Sequence, residues 1–175
     1  MAPIVAYAGK SPTVSPSAWV APNATLVGAV TLGERSSVFY GAVLRADGNS
    51  ITVGDDTNFQ DNVVVHVDPG KPATIGSRVS VGHSAVLHGC TVENDCLIGM
   101  SATVLNDAII GAGSLVAAGA VVLEGTVIPP GSLVAGVPAK VRRELTDDER
   151  AGIRHNAVGY LKLSAAHKLA TTVES

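Results

Sequence analysis

An aliphatic side chain returns at every sixth position through much of this 175-residue chain. The longest unbroken series comprises Val92, Ile98, Val104, Ile110, Val116, Val122, Ile128 and Val134. An earlier series with the same spacing comprises Val20, Leu26, Leu32, Val38 and Leu44. Tandem hexapeptides are typical of a parallel β-helix, in which each repeat forms a short strand and a corner, and three repeats complete one triangular coil. The chain is therefore predicted to be an all-β solenoid.

The composition fits a narrow prism filled by small and medium aliphatic side chains. Hydrophobic residues make up 46% of the chain but aromatic residues only 3%, and 19 glycines are available for tight corners. The formal charge of −3 provides no basic surface for phosphates, so nucleic acid is not an expected partner. We find no apolar run of membrane-spanning length and no signal-peptide pattern. Because Cys90 and Cys96 are also expected to be reduced, we predict a cytoplasmic protein with no membrane partner.

The last part of the chain has a helical pattern. Thr146 and Glu149 have the spacing of a capping box, in which two side chains satisfy backbone amides at a helix N-terminus. The apolar residues that follow recur at helical spacing, namely Ile153, Ala157, Tyr160, Leu161, Ser164, Ala165 and Leu169. We predict a β-helix over residues 1–143 and, over residues 144–175, a C-terminal α-helix that packs along its outside.

Two insertions interrupt the six-residue spacing. One contains RADGNS (45–50), which resembles a turn, and the other contains DPGKP (68–72), an expected loop. Counting three repeats per coil then assigns the strands to three sides of the prism. The inward aliphatic residues are Val53, Ile75 and Val92 on side one, Val38, Phe59, Val81 and Ile98 on side two, and Leu44, Val65, Leu87 and Val104 on side three.

Three polar residues follow the inward aliphatic residues of side three on successive coils. They are Arg45, His66 and His88, and stacked strands space them about 4.8 Å apart. His66 and His88 are therefore expected to bind one metal ion together. Neutral imidazoles suit Zn²⁺, although Fe²⁺ and Co²⁺ are alternatives that the ligands do not distinguish.

A third histidine, His83, lies on side two with Asp61 one coil away and Gln60 beside it. The chain turns a corner between His83 and His88, so one chain is not expected to bring all three histidines to one ion. A second chain that places its side two against side three of the first would complete the set, and threefold repetition of this contact closes a ring. The alternative is that each histidine is a solvated surface residue, which is what we expect of His155 and His167 in the C-terminal segment.

Several motifs together resemble the γ-class carbonic anhydrase family, in particular its short members that lack an acidic loop. They are R-A-D at 45–47, T-N-F-Q-D at 57–61, His66, and G-H-S-A-V-L-H at 82–88. The resemblance extends from about Val20 to the terminal helix. It implies a left-handed β-helix, a homotrimer and one metal site at each subunit interface.

The resemblance also implies roles for residues at the site. His66 and His88 would be metal ligands from one subunit and His83 a ligand from its neighbour. Gln60 would form a hydrogen bond with metal-bound hydroxide or bicarbonate, and Asn58 would help to position CO2.

Four further residues have implied supporting roles. Arg45 would pair with Asp47 and, across the interface, with Asp61. Tyr160 is either a packing residue of the terminal helix or, as in short members of the family, a neighbour of the metal.

The implied reaction is reversible hydration of CO2 to bicarbonate by a metal-bound hydroxide at trimer interfaces. The founding members carry glutamates on a longer acidic loop, whereas the loop after His66 here contains only Asp68, so we expect proton export to depend on buffer. The alternatives are a metal-binding structural protein with little catalysis and a hexapeptide acyltransferase that uses acetyl-CoA. The segment G-V-P-A-K at 136–140 also occurs in hexapeptide acyltransferases, so it does not discriminate.

Overall fold

The structure, a computed structural model, describes residues 2–170. In chain order, the strands are β1 (Ile4–Val5), β2 (Thr13–Val14), β3 (Trp19–Val20), β4 (Thr25–Leu32), β5 (Ser37–Val38), β6 (Val43–Val53), β7 (Asn58–Phe59), β8 (Val64–His66), β9 (Ala73–Ile75), β10 (Ser80–Val81), β11 (Val86–His88), β12 (Thr91–Val92), β13 (Leu97–Ile98), β14 (Thr103–Val104), β15 (Ile109–Ile110), β16 (Leu115–Val116), β17 (Val121–Val122), β18 (Val127–Ile128), β19 (Ser132–Gly136) and β20 (Ala139–Glu144). Helix α1 (Asp147–Leu169) follows them.

The strands stack into the three sides that the repeat predicts. On side three, the parallel register pairs Leu44 with Val65, Val65 with Leu87, and Leu87 with Val104. The inward residues of sides one and two are paired in the same way. Strands β4 and β6 run from side three into side one and join those sides into one sheet, whereas side two is a separate sheet that ends in the antiparallel pair β19–β20. The predicted parallel β-helix is confirmed.

The repeated aliphatic side chains fill the interior of the prism. Leu44, Leu87 and Ile98 are fully buried, and so are small residues at the corners such as Ala102. Burial of an aliphatic side chain of this size stabilises the fold by about 1.5–3 kcal/mol. Because the coils share one continuous core, the outward residues of each side are held at a regular spacing along the prism.

The first insertion is a bulge within a strand, so the prediction of a turn at residues 45–50 was wrong. Strand β6 continues through the insertion. Gly28 on β4 pairs with Ala46 on β6 and Val30 pairs with Ile51, so one residue of β4 lies opposite four residues of β6. The three extra residues are therefore pushed outward while pairing resumes on both sides. Gly28 has φ of 74°, and a Cβ there would collide with the carbonyl oxygen of Ala46, so the close approach requires glycine.

The second insertion forms the expected loop. Asp68 and Lys71 close a tight turn in which the Lys71 amide donates to the Asp68 carbonyl at 3.0 Å, with Gly70 at φ of 78°. The ammonium group of Lys71 reaches past the next corner and pairs with Asp107, two coils further along side three. The loop therefore lies against the corner that follows His88, and it brings Asp68 toward the histidine column.

The capping box at the start of α1 is confirmed. The Glu149 amide donates to Thr146 Oγ1 at 3.2 Å, and the Thr146 amide donates to Glu149 Oε2 at 2.9 Å. Arg143 binds the same carboxylate through both terminal nitrogens, at 2.7 and 2.8 Å. The Arg143 guanidinium and the Thr146 amide lower the pKa of Glu149 from 4.5 to about 2. These contacts tie the first turn of the helix to the end of the β-helix.

Helix α1 packs along side two, where it contacts β3, β7 and β10. Its buried residues are Ile153, Ala157 and Ser164, whereas Ala165 and Leu169 of the predicted stripe are exposed. The division of the chain at residues 143 and 144 stays a prediction, and residues 171–175 of its second part lie outside the described residues. Within residues 2–170, no helix has the length and apolar character needed to cross a bilayer.

An aromatic cluster holds the C-terminal end of α1 on the first coils. Tyr40 Oη lies 2.9 Å from His167 Nδ1, and the His167 ring packs against Trp19 and Phe39 with centroid distances of 5.7 Å. His155, in contrast, is exposed. Both histidines lie outside the histidine column, and His155 is solvated as expected, but the expectation was wrong for His167, whose ring is partly buried in the aromatic cluster.

Candidate metal centre

The predicted column of polar residues is present on side three. The strand register pairs Arg45 with His66 and His66 with His88. The two imidazole rings lie edge-to-face with a centroid distance of 4.8 Å, and His66 Nδ1 lies 2.8 Å from His88 Nε2. Both side chains are largely buried, with exposed fractions of 19% and 26%. One nitrogen of each ring therefore points at the other ring.

The other nitrogen of His66 faces a carboxylate. His66 Nε2 lies 3.0 Å from Asp47 Oδ1, and Arg45 contacts the second oxygen of Asp47. Partial desolvation raises the pKa of the Asp47 carboxyl, but the hydrogen bonds from His66 and Arg45 outweigh it, so the pKa is lower than usual. Because an ionised carboxylate accepts only, His66 Nε2 is the protonated nitrogen and Nδ1 carries the lone pair.

The other nitrogen of His88 faces an amide oxygen. His88 Nδ1 lies 2.9 Å from Asn106 Oδ1, and Asn106 Nδ2 donates to Asp68 Oδ2 at 2.9 Å. The carboxylate of Asp68 fixes which end of the amide faces His88, because only the NH2 group donates. His88 Nδ1 therefore carries the proton and Nε2 the lone pair.

For neutral rings, these assignments leave His66 Nδ1 and His88 Nε2 as acceptors that face each other at 2.8 Å. Either a proton shared by the two rings or a metal ion bound by both removes the repulsion between such acceptors. Imidazole nitrogens whose second nitrogen donates to a carboxylate or amide oxygen are the usual metal ligands. The donor set of this column therefore fits a divalent transition metal. Asp68 also lies within reach, since ligand atoms of His66, His88 and Asp68 are within 4.8 Å of one another.

His83 is placed apart from this pair, on side two. Its Nδ1 lies 3.0 Å from Asp61 Oδ2, and its Nε2 lies 3.5 Å from Tyr160 Oη. The side chain of His83 is 42% exposed, more than either histidine of the column. His83 thus resembles His66 and His88 in that one ring nitrogen contacts an oxygen acceptor, whereas its other nitrogen makes only the long contact with the Tyr160 hydroxyl.

Tyr160 extends from α1 toward His83. Its ring packs edge-to-face against Phe39 with a centroid distance of 5.4 Å, and its hydroxyl faces the imidazole. Burial and the nearby charge of Asp61 raise the pKa of the Tyr160 hydroxyl. Tyr160 therefore packs against the prism and also lies beside His83, whereas its position near a metal stays a prediction.

Gln60 and Asn58 form a buried amide chain beside His83. Gln60 Nε2 donates to Asn58 Oδ1 at 3.3 Å, and Asn58 Nδ2 donates to Ser80 Oγ at 2.9 Å. These bonds use the amide nitrogens, so Gln60 Oε1 is the atom left to accept. Gln60 lines a cavity of about 360 Å³ together with His83 and Tyr160, and the rest of the wall is mostly apolar.

Among residues 2–170, Asp61 has two partners. Its Oδ1 accepts from the Tyr40 amide at 3.2 Å, and its Oδ2 contacts His83. Arg45 contacts Asp47, which agrees with the first part of its predicted pairing. The predicted pair between Arg45 and Asp61 of another subunit stays a prediction.

Asn106 was missed by the sequence reasoning. It lies at the corner one coil beyond His88, directly after Leu105, which continues the column. Counting one more coil past His88 would have placed an amide at this corner. The hydrogen bonds of the Asn106 side chain depend on the path of the DPGKP loop, which the hexapeptide spacing does not specify.

Known proteins resemble this chain in sequence. Residues 89–124 match the family model described as bacterial transferase hexapeptide (six repeats). The chain is 60% identical over 164 residues to "Gamma carbonic anhydrase 3, mitochondrial" of Arabidopsis thaliana, a match that covers 90% of this chain and 64% of that protein. It is 56% identical over 151 residues to "Probable carbonic anhydrase" of Methanocaldococcus jannaschii, covering 86% of this chain and 95% of that protein.

A solved structure shows the same fold. The hexapeptide transferase family protein from Anaplasma phagocytophilum superposes with a TM-score of 0.91 at 41% identity, covering 94% of this chain and 97% of that one. The chain therefore spans less than two thirds of the Arabidopsis relative but nearly all of the other two proteins.

Proposed function

Because the chain belongs to the γ-class carbonic anhydrase family, we propose that it hydrates CO2 reversibly to bicarbonate at metal sites shared between the subunits of a homotrimer. The observation that carries this proposal is the common environment of the three histidines. Each has one ring nitrogen within 3.0 Å of an oxygen acceptor, which leaves His66 Nδ1, His88 Nε2 and His83 Nε2 to bind a metal.

The sharing between subunits follows from where the three histidines lie. His66 and His88 face outward from side three, whereas His83 is on side two beside α1. A neighbour that places its side two against side three of the first chain supplies the third nitrogen. Repetition of this heterologous contact closes a threefold ring with three equivalent sites. In that ring, Arg45 of one chain is positioned to pair with Asp61 of the next.

A zinc ion held by three imidazoles supplies hydroxide at neutral pH because it lowers the pKa of bound water to about 7. Asp47 holds the imidazole proton at His66 Nε2, Asp61 holds it at His83 Nδ1, and Asn106 holds it at His88 Nδ1. Gln60 Oε1, left as an acceptor by the amide chain, would accept a hydrogen bond from the hydroxide that the metal would supply and would orient it toward CO2. Asn58 holds the Gln60 amide in that orientation. The apolar wall of the adjoining cavity admits CO2 without a competing hydrogen-bond partner.

The metal is tested first. Untagged protein purified without chelator is expected to retain about one divalent ion per chain, with Zn²⁺, Fe²⁺ and Co²⁺ as the ions to load. The variants His66→Ala, His83→Ala and His88→Ala are each expected to lose most of it. His155→Ala, whose side chain is exposed on α1, is the control. Full metal content in all three variants would refute the site.

Catalysis is tested by stopped-flow CO2 hydration on each loaded form. We expect a rate above that of His88→Ala, rising with buffer concentration because the loop after His66 offers only Asp68 as a local acid. A metal-loaded protein with no such rate would be a metal-binding protein without hydration activity. Acetyl transfer from acetyl-CoA is the parallel assay, since the solved relative is named a transferase family protein.

We also propose a cytoplasmic location. Both cysteines are buried free thiols, which suits a compartment that keeps thiols reduced. The Arabidopsis relative is named a mitochondrial protein, so fractionation of cells of the source organism is the decisive experiment. Recovery of the protein in a membrane-enclosed compartment would contradict the proposal.

A further inference from the structure

The bond between His88 and Asn106 belongs to a relay that begins at Asp68, a carboxylate outside the three predicted histidine ligands. Asp68 Oδ2 is 3.9 Å from His88 Nδ1, too far for a hydrogen bond, but 2.9 Å from Asn106 Nδ2. The hydrogen-bonded link from the carboxylate to the imidazole therefore runs through the amide. Because Asn106 Nδ2 must donate to Asp68, Asn106 Oδ1 must accept from His88 Nδ1.

The backbone holds Asn106 where this relay requires it. The Gly125 amide donates to the Asn106 carbonyl at 2.9 Å, and the next residue, Asp107, donates its amide to the Gly89 carbonyl at 2.8 Å. Gly89 leaves room for the side chain, because a Cβ at that position would collide with Asn106 Oδ1. The corner after His88 is therefore shaped to receive an amide.

We infer that Asn106, oriented by Asp68, is a positioning residue that keeps the proton of His88 on Nδ1 and so presents Nε2 as a lone pair to the metal. The metal-binding part of this inference rests on the proposed function. Replacement of partners that orient a ligand imidazole typically weakens metal binding about 10–100-fold. We expect Asn106→Leu, which keeps the side-chain size but removes the acceptor, to raise the Kd for Zn²⁺ by that factor.

The proton itself is observed by ¹⁵N-resolved NMR of the imidazoles. Metal-free wild-type protein is expected to show a slowly exchanging His88 Nδ1–H, which is lost in Asn106→Leu. Asp68→Ala leaves Asn106 in place but frees its amide to rotate, so the same resonance should broaden without any change at the corner backbone. Asp107→Asn is the matched control, because Asp107 is adjacent and pairs with Lys71 instead of His88.

The outcomes separate the inference from the proposed function. A protected His88 Nδ1–H that persists in Asn106→Leu would overturn the inference, as would an unchanged Kd for Zn²⁺ after the resonance is lost. If the resonance is lost but the wild-type protein binds no metal, the positioning of His88 stands and the proposed function fails. If Asn106→Leu does not fold, Asp68→Ala alone decides, and an unaltered resonance there would refute the relay.

Discussion

A site shared between subunits predicts that two variants, each unable to bind metal tightly, restore binding when their chains are mixed. The perturbation uses His83→Ala and His88→Ala, which damage opposite halves of the proposed site. Within one chain, His66, Asp68 and His88 lie together, while His83 faces Asp61 and Tyr160 on side two. The His83→Ala chain therefore keeps an intact side three, and the His88→Ala chain keeps an intact side two.

The size of the recovery follows from the direction of the contact. Each site takes His66 and His88 from one chain and His83 from the next around the ring. A site is restored when its first chain is the His83→Ala variant and its second chain is the His88→Ala variant. In a random equimolar mixture, each of these two conditions is met with a probability of one half. About one quarter of the wild-type sites are therefore restored. Wild-type chains mixed with His88→Ala chains should restore about one half, because only the first chain must be intact.

The assay requires exchange of the subunits. The two variants are unfolded in guanidinium, mixed, refolded with Zn²⁺ and dialysed, and the retained zinc is measured per chain. Each variant treated alone, and the two variants mixed without unfolding, are the controls and should retain little zinc. Recovery near zero in the refolded mixture, with normal trimer formation by analytical ultracentrifugation, would mean that one chain builds its site alone and would refute the reasoning.

Three further predictions concern the fold. Leu87 is fully buried between Val65 and Val104, so the Leu87→Ala variant should lower the free energy of unfolding by about 2–5 kcal/mol in urea titrations. The Val127→Ala variant, at an exposed position, should change it by less than about 0.5 kcal/mol. The pKa of Glu149 is lowered from 4.5 to about 2, so this residue contributes stability above pH 4.5 that is lost as the pH falls toward 2. The Glu149→Gln variant should therefore lose less stability than wild type across that pH range in thermal melts, with Asp148→Asn as control. Burial raises the pKa of Cys90 to about 12 and of Cys96 to about 11, so neither thiol should react with Ellman's reagent at pH 8 until the protein is unfolded, and rapid reaction of the native protein would show that the corners open.

The repeat in the sequence was sufficient to predict the solenoid, the three sides and the stacking of Arg45, His66 and His88. In a solenoid each coil pairs only with its neighbours, so counting residues along the chain is equivalent to counting coils in space. The capping box of α1 was predictable for a similar reason, since Thr146 and Glu149 interact within one helical turn.

Only the tertiary structure decided which side chains contact the outer nitrogens of His66 and His88. The bulge in β6 places Asp47 on His66, and the loop at residues 68–72 brings Asp68 to Asn106, which then contacts His88. These contacts depend on the path of irregular segments and on side-chain rotamers, neither of which follows from a six-residue spacing. Repetition in sequence therefore determined the position of each imidazole along the prism and placed Asp61 one coil from His83, whereas the insertions that break the repeat decided which groups contact His66 and His88.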